Sequence, residues 1–204
     1  MTDVSLIKKE LSEMLSARRF NHSLAVANQA VCLAKIYNVD KEKAFIAGLV
    51  HDCCKEISKD EQLKIINQFG IILTDAEKKE PNIWHGYAAS GFITEKWGIN
   101  DSDVCSAVRY HTCGKGDMTL LEKIIFVADL TSHDRDYSDS EKIRNISYES
   151  LDKAIYECYL YIIPFIINRK GFITQNTLDC YNCSINAIKN SKGIDLSNEF
   201  THVC

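Results

Sequence analysis

Residues 48–55, GLVHDCCK, place a histidine and an aspartate side by side at the end of an apolar run. Adjacent residues on a helix point about 100° apart, so His51 and Asp52 cannot serve one helical face equally. They can contact a single metal ion where that ion lies in a groove between helices. Imidazole binds zinc, iron, manganese, nickel or cobalt, and a carboxylate adds negative charge. An isolated pair of this kind is more often a hydrogen-bonded couple at a helix end, so the rest of the chain decides between these interpretations.

The composition is that of an ordinary globular domain. The chain has 204 residues, of which 46% are apolar and 25% charged, and this length can bury a sizeable core. The net charge of −4 argues against nucleic-acid binding, which favours a basic face. The most apolar run, residues 159–167, is too short to span a bilayer, so no membrane partner is expected.

The cysteines and the N-terminal region bear on the cellular compartment. Nine cysteines are scattered without the spacing of a disulfide framework, and the N-terminal residues lack the apolar core of a signal peptide. Together they predict reduced thiols and a cytoplasmic location. Cys180 and Cys183 form a lone C-x-x-C inside a helical pattern, which leaves a zinc or redox site there as the weaker interpretation.

Apolar residues recur at helical spacing along most of the chain, and no alternating strand pattern exceeds four residues. The predicted fold class is therefore all-α. Capping boxes are expected at Ser58, Thr74 and Thr119, each followed three residues later by Glu, and Pro164 is expected to kink or stop its helix. Helices are predicted over about residues 3–17, 22–37, 41–56, 59–70, 82–97, 102–111, 120–130, 147–169 and 174–190.

Six ionisable residues lie at the ends of the apolar helical stripes: His22, His51, Asp52, His85, His111 and Asp129. A single histidine so placed is more often a satisfied core residue. Four of the chain's six histidines together with two aspartates are a different case, because burying them without partners would be very unfavourable. A shared metal site removes that difficulty, since cations offset the carboxylates and fix the imidazoles. The other two histidines, His133 and His202, are expected to be solvated.

The order of His22, the His51-Asp52 pair and Asp129 resembles the H…HD…D signature of the HD-domain phosphohydrolase superfamily. The closer similarity is to its symmetrical bis(5'-nucleosyl)-tetraphosphatases, which hydrolyse diadenosine tetraphosphate, and it covers roughly residues 5–165. The local strings that carry it are RFNH (19–22), LVHD (49–52), WHG (84–86), VRYHT (108–112) and LEKIIFVAD (121–129).

The resemblance implies an all-α HD-domain bundle with a dinuclear metal site between its helices. The expected metal-dependent phosphohydrolase domain spans residues 1–170, and residues 171–204 form a C-terminal helix and tail on the same domain. One ion would be held by His22, His51, Asp52 and Asp129, and the second by His85 and His111 with Asp52 as the bridge. Nitrogen-rich ligand sets disfavour magnesium and calcium, so the two divalent transition-metal ions are expected to be iron, with manganese, cobalt or zinc as alternatives.

Two such ions about 3.5–4 Å apart can activate a water molecule and bind phosphoryl oxygens, so Asp52 and Lys55 are expected to be catalytic. Lys55 lies about one helical turn after His51 and can point into the same cleft. Thr112 and Gly114 can offer a hydroxyl and backbone N–H groups to a phosphate. The expected substrate-binding residues are Arg19, Lys55, Arg109, Thr112, Gly114, Lys115 and Arg135.

One departure from the family pattern lies after Asp129. The family usually has a Glu-Pro pair ahead of its arginine, whereas Ser132 and His133 stand here and Arg135 is retained. The metal ligands are untouched, so the departure concerns the loop that helps to close over the nucleotide.

The resemblance implies that the protein cleaves diadenosine tetraphosphate symmetrically into two ADP. Its expected partners are a dinucleoside polyphosphate substrate, ADP or GDP as a product-like ligand, and a second copy of the chain in a homodimer. Three alternatives stay open: another HD-domain nucleotide phosphohydrolase or nucleotidase, a di-iron oxygenase on the same scaffold, and a non-catalytic nucleotide-binding module. The cations flanking the candidate ligands favour the phosphate chemistry.

Overall fold

The computed structural model describes residues 3–137 and 139–192, and this part of the chain contains eleven α-helices and no strand. The all-α prediction is confirmed. None of the described helices is long and apolar enough to cross a membrane. The helices are α1 Val4–Met14, α2 Ala17–Ile36, α3 Lys41–Val50, α4 Lys59–Gln68, α5 Asp75–Lys78, α6 Trp84–Trp97, α7 Ser102–Tyr110, α8 Leu120–Thr131, α9 Ser140–Glu149, α10 Leu151–Asn168 and α11 Gln175–Lys192, with a 3-10 turn at Pro81–Ile83.

The core lies where α2, α3, α7 and α8 pack against one another. Its side chains are mainly Ala, Val, Ile and Leu, and those of α8 are almost entirely buried. The backbones of α2 and α3 approach closely, because a Cβ atom on Gly48 would lie 2.8 Å from Ala27 Cα. Gly48 is one turn before His51, so this close packing brings the end of α3 against α2.

The start of α2 and the end of α3 differ from the prediction. α2 begins at Ala17 rather than His22, because Ser16 caps it and the Glu56 carboxylate accepts hydrogen bonds from the Ser16 N–H and Oγ at 2.7 Å each. α3 ends at Val50, and residues 51–57 form turns. His51 and Asp52 therefore lie just past a helix end instead of within a helix. The predicted capping boxes at the starts of α4, α5 and α8 are confirmed.

The predicted helix over 147–169 corresponds to α10, whereas α9 was not predicted, and only its residues 147–149 fall within that range. α9 ends at Glu149, and α10 begins after Ser150, whose side chain accepts a hydrogen bond from the Lys153 N–H at 3.3 Å. Pro164 does not stop α10, which continues to Asn168. Pro164 is exposed, so water can hydrate the carbonyl that lacks an N–H partner there.

The last two helices are fastened to the α5–α6 region by two buried carboxylates. Glu77 accepts hydrogen bonds from the Tyr87 hydroxyl at 2.5 Å and from Asn176 Nδ2 at 2.9 Å. Glu80 pairs with Arg169 at 2.8 Å. These contacts, together with the packing of α11 on α10, place the C-terminal helices beside the predicted ligands. The division of the chain at residue 170 stays a prediction.

Candidate metal and phosphate site

All six predicted metal ligands lie together, at or near the ends of five helices. The imidazole rings are close neighbours: the His51 centroid is 5.4 Å from that of His22 and 4.9 Å from that of His111, and the His85 and His111 centroids are 5.0 Å apart. All four histidines are buried. The elements that bring the ligands together are α2 (His22), the turn after α3 (His51 and Asp52), the first turn of α6 (His85), the end of α7 (His111) and α8 (Asp129).

Two of the histidines are oriented by backbone carbonyls. His51 Nδ1 lies 2.7 Å from the Gly48 carbonyl oxygen, and His111 Nδ1 lies 2.7 Å from the Val108 carbonyl oxygen. Since a carbonyl only accepts, each Nδ1 carries the proton and each Nε2 keeps a lone pair. Both Nε2 atoms therefore face the cluster as potential metal ligands.

Asp52 lies at the centre of the cluster, with a side chain that is 3% exposed. Its Oδ1 atom is 3.2 Å from His85 Nε2 and 3.5 Å from His111 Nε2. Its Oδ2 atom is 3.5 Å from His51 Nε2 and 2.6 Å from an Arg19 guanidinium nitrogen. Burial opposes ionisation of this carboxyl, but the surrounding imidazoles outweigh it and hold the pKa of Asp52 well below its usual range.

Asp129 occupies the other side of the cluster. Its Oδ1 atom is 2.9 Å from His22 Nε2, 3.8 Å from His51 Nε2 and 2.5 Å from a guanidinium nitrogen of Arg135. Burial would raise the pKa of the Asp129 carboxyl, but the charge of Arg135 and the contact with His22 hold it well below its usual value. The carboxylate is thus ionised and aimed at the same point as two imidazole nitrogens.

The cluster fits a divalent metal. His51 Nε2 and Asp52 Oδ1 are buried and make no hydrogen bond with good geometry to any described residue, although other ligand atoms lie near them. Burial lowers the pKa of His51 to about 4 and, together with the charge of Lys55, lowers that of His85 to about 3, so both imidazoles are neutral and able to coordinate. Nitrogen and carboxylate donors suit transition metals. Two groups have ligand atoms within 4.8 Å of one another: His22, His51 and Asp129, and His51, Asp52 and His111.

Four of the predicted substrate-binding residues lie at the cluster. Lys55 Nζ is 3.0 Å from His85 Nε2, and Thr112 Oγ1 is 3.1 Å from the same nitrogen. Arg19 contacts Asp52, and Arg135 contacts Asp129, at the distances given above. The first turn of α2, the turn after α3 and the loops after α7 and α8 thus supply three cations and a hydroxyl beside the ligands.

Arg109 and Lys115 lie elsewhere. The Arg109 guanidinium lies over the rings of Tyr87 and Tyr110, 5.4 and 5.5 Å from their centroids. Lys115 Nζ is 3.2 Å from Oε1 of Glu122, a buried carboxylate that needs a cation. Neither residue lines the cavity at the ligands, so the structure gives no support to the predicted phosphate contact for these two.

Gly114 also lies away from the ligands. It has a positive φ of 64°, and a Cβ atom there would lie 2.6 Å from Cys180 Sγ and 2.7 Å from the Tyr159 hydroxyl. A glycine is needed here so that the loop can pack on α10 and α11, which explains the residue without a phosphate. Cys180 is buried, and Cys180 and Cys183 are both free thiols.

A cavity of about 540 Å³ begins at the ligands and extends along α10. Its inner end is formed by His111 and Asp129 with Lys55 and Thr112. Its outer part is lined by side chains from the 3-10 turn, α10 and the start of α11, which the sequence analysis did not assign to the site. They include Glu80, Asn82, Tyr161, Phe165, Arg169 and Phe172.

An aromatic row on α10 forms one wall of this cavity. The Tyr161 ring stacks on Tyr137, with centroids 4.8 Å apart, and is nearly parallel to Phe165 at 6.4 Å. The Arg169 guanidinium lies 5.6 Å from the Phe165 centroid and is held by Glu80. Tyr161 and Phe165 are 42% and 55% exposed, although both are aromatic. Tyr161, Phe165 and Arg169 are four residues apart, a spacing that puts side chains on one face of a helix, and this spacing could have indicated the row from the sequence.

Asp134 is a further residue that was not predicted, because it lies in a polar loop. In the structure its carboxylate contacts His22. His133 in the same loop is exposed, as expected. His202 lies outside the described residues.

The HD domain family matches residues 19–134 of the chain, which is more than half of its length. Among curated proteins, the chain is 35% identical over 182 residues to a protein of Staphylococcus aureus named "Bis(5'-nucleosyl)-tetraphosphatase, symmetrical", covering 88% of this chain and 93% of that protein. A protein of the same name from Bacillus subtilis is 30% identical over 181 residues, which is 88% of this chain and 94% of that protein.

Among solved structures, the fold is similar to a crystal structure from Clostridium acetobutylicum described as a predicted HD superfamily hydrolase involved in NAD metabolism. The TM-score is 0.88 and the sequence identity 37%, and the match covers 92% of this chain and 99% of that one. The helical framework described above is therefore shared over nearly the whole of both chains.

Proposed function

The chain belongs to the HD domain family and, within it, to the symmetrical bis(5'-nucleosyl)-tetraphosphatases, and we propose that it hydrolyses diadenosine tetraphosphate symmetrically to two ADP. One observation carries the proposal: a cluster of six His and Asp side chains stands at one end of a cavity of about 540 Å³ whose far wall is aromatic. The first feature suits a polyphosphate and the second suits a nucleoside, and both lie in one cavity.

We propose that the cluster holds two divalent transition-metal ions, iron first, with manganese, cobalt or zinc as alternatives. The first ion would be held by His22, His51, Asp52 and Asp129, and the second by His85, His111 and the shared Asp52. When bound, such ions polarise phosphoryl oxygens and lower the pKa of water. The orphaned Nε2 of His51 and Oδ1 of Asp52 support this assignment.

The cations of this chain then act on the substrate. A tetraphosphate carries several negative charges, and Lys55, Arg19 and Arg135 surround the cluster with positive ones. Lys55 lines the cavity, so its ammonium is placed to bind a non-bridging phosphoryl oxygen, while the Thr112 hydroxyl donates to another. Asp52 fixes the surrounding imidazoles and balances the positive charge, and this is the sense in which it is catalytic.

The aromatic row supports a nucleoside site at the other end of the cavity. An adenine ring can stack on Phe165 or Tyr161, and base–aromatic stacking contributes roughly 1–3 kcal/mol per base. The Arg169 guanidinium is held by Glu80 at the end of this row and can contact the base or a phosphate. The number of phosphates between this site and the cluster then selects the bond that breaks, and two phosphates give ADP.

The proposal is tested with protein loaded separately with iron, manganese or cobalt. It is incubated with diadenosine tetraphosphate, diadenosine triphosphate, NAD and AMP, and the nucleotides are followed by chromatography while dissolved oxygen is monitored. We expect turnover of the tetraphosphate without oxygen consumption. We expect little or no turnover of NAD, because its second phosphorus carries a ribose in place of a nucleoside diphosphate leaving group. Preferred hydrolysis of AMP would favour a nucleotidase, oxygen uptake an oxygenase, and no turnover a binding module.

A further inference from the structure

We propose that Asp134 and Ser132 form a positioning pair that holds His22 by its Nδ1 atom and so presents its Nε2 atom to the metal-binding cluster. The inference rests on the metal binding proposed for this cluster and is independent of which substrate the protein cleaves. Neither Asp134 nor Ser132 is a metal ligand in this account, and neither touches the reacting atoms. Both act through His22.

The geometry begins at the His22 ring. Its Nδ1 atom lies 2.7 Å from Asp134 Oδ2, and its Nε2 atom lies 2.9 Å from Asp129 Oδ1. Carboxylates accept hydrogen bonds at both ring nitrogens of His22. A cation bound at Nε2 would displace the proton there, and Asp134 would keep the remaining proton on Nδ1. A carboxylate behind a ligating imidazole fixes its ring orientation and raises its basicity.

Ser132 fixes the Asp134 carboxylate in turn. Ser132 follows the last residue of α8, is fully buried, and its Oγ atom donates to Asp134 Oδ1 at 2.6 Å. Its carbonyl oxygen also accepts from the Arg135 N–H at 3.0 Å. Both oxygens of Asp134 are thereby engaged, one by Ser132 and one by His22, although this side chain lies in an exposed loop and is 37% accessible.

His22 is supported differently from His51 and His111. Those two imidazoles donate to backbone carbonyls of their own helices, so their orientation follows from helix geometry alone. His22 depends on a side chain 112 residues away in sequence, and that side chain is charged. We therefore expect the metal affinity of the His22 half of the cluster to depend on Asp134.

The experiment compares Asp134→Ala, Asp134→Asn and Ser132→Ala with Asp136→Asn as the matched control. Asp136 is an exposed carboxylate two residues further along the same loop, and no described residue hydrogen-bonds to it. Cobalt affinity is measured by competition with a chelator, and circular dichroism checks the fold. We expect Asp134→Ala to weaken binding of one cobalt ion by about 10–100-fold, with smaller losses for Asp134→Asn and Ser132→Ala and none for Asp136→Asn.

A second readout is the His22 tautomer, obtained from ¹⁵N NMR of the protein loaded with zinc, which is diamagnetic and would occupy the Nε2 side of the ring. The wild type should carry the His22 proton on Nδ1, and Asp134→Ala should show a mixture of tautomers. Equal cobalt affinity in Asp134→Ala and Asp136→Asn, a wild-type proton on Nε2, or no cobalt binding by the wild type would each overturn the inference. Cobalt binding that depends on Asp134, in a protein that does not cleave the tetraphosphate, would leave it intact and remove only the proposed function.

Discussion

At the scale of single residues, Asp52 contacts three of the four clustered imidazoles. Its Oδ1 atom lies near His85 and His111, and its Oδ2 atom lies near His51. We predict that Asp52→Asn lowers kcat by more than about 100-fold. Loss of a residue that only hydrogen-bonds to a metal ligand typically costs roughly 10–100-fold, and the Asn amide removes more, because it is neutral and cannot balance the charge of two cations. Steady-state kinetics at saturating metal test this. Near-normal turnover would remove Asp52 from its central role.

Lys55 and Lys115 were both predicted to bind phosphate, but in the structure only Lys55 lines the cavity. We predict that Lys55→Met lowers kcat/KM by about 10–100-fold, the range expected for a lost hydrogen bond to a charged group at roughly 1.5–3 kcal/mol. Lys115→Met is the matched control: it should leave kcat/KM within about twofold but lower the melting temperature, because Glu122 would stay buried without its cation. If Lys115→Met impairs catalysis as much as Lys55→Met, the assignment of these cations is wrong.

The six residues of the cluster could be predicted from the sequence, whereas the directions of the neighbouring side chains could not. His22, His85 and His111 each fall on an apolar helical stripe, and the stripe faces the core. A residue that neighbours a predicted ligand in sequence can point its side chain in another direction. Arg109 was expected to contact the phosphates, and its guanidinium lies over aromatic rings instead. No local sequence pattern marks Asp134, because its partner His22 lies 112 residues away in sequence.

At the scale of helices, Glu77 joins three of them. It follows the cap of α5, and its carboxylate accepts from Tyr87 on α6 and from Asn176 on α11. Burial would raise the pKa of this carboxyl, but these hydrogen bonds and the one from the Thr74 N–H hold it below its usual value near 4.5. The ionised form is therefore the one that the folded protein stabilises.

We predict that Glu77→Gln lowers the free energy of unfolding at pH 7 by about 1–3 kcal/mol. Because the folded pKa lies below the unfolded one, the contribution of Glu77 is complete above about pH 4.5 and is lost as the pH falls through the folded value. The gap between wild type and variant should accordingly narrow in acid. Urea unfolding at several pH values measures it, and a gap independent of pH would show that packing, not ionisation, is what the variant loses.

The helix boundaries show where local patterns stop being sufficient. The capping boxes need only residues three apart, and all three were found where the sequence placed them. The start of α2 depends on Glu56 reaching Ser16 across 40 residues, so it was placed five residues late. The division between α9 and α10 at Ser150 was missed because the apolar spacing continues through it.

At the scale of the whole molecule, the cluster joins the ends of α2, α3, α6, α7 and α8. Ions bound there connect helices that are far apart in sequence, and binding stabilises the folded chain by about 2.7 kcal/mol when the free metal is at 100 times its dissociation constant. We predict that a chelator lowers the melting temperature of the wild type. The chelator should lower the melting temperature of Asp52→Asn far less. Equal decreases in both proteins would show that the ions bind elsewhere.

The overall fold was predictable because the helical periodicity is strong and the H…HD…D order marks the family. The cavity was not, because its outer wall brings the 3-10 turn, α10 and the start of α11 together from separate parts of the chain. Tyr161 and Phe165 were interpreted only as part of an apolar run. Their exposure beside the cluster becomes visible when α10 is packed against α8.

In the proposed reaction this cavity holds a dinucleoside tetraphosphate with the cluster two phosphates away from a bound nucleoside. The most direct measurement resolves the first products of diadenosine tetraphosphate hydrolysis by chromatography at low conversion, with Asp52→Asn as the blank. We predict ADP as the only nucleotide product, with two molecules formed for each substrate consumed. AMP and ATP in equal amounts would contradict it, because the cluster would then lie one phosphate from the nucleoside.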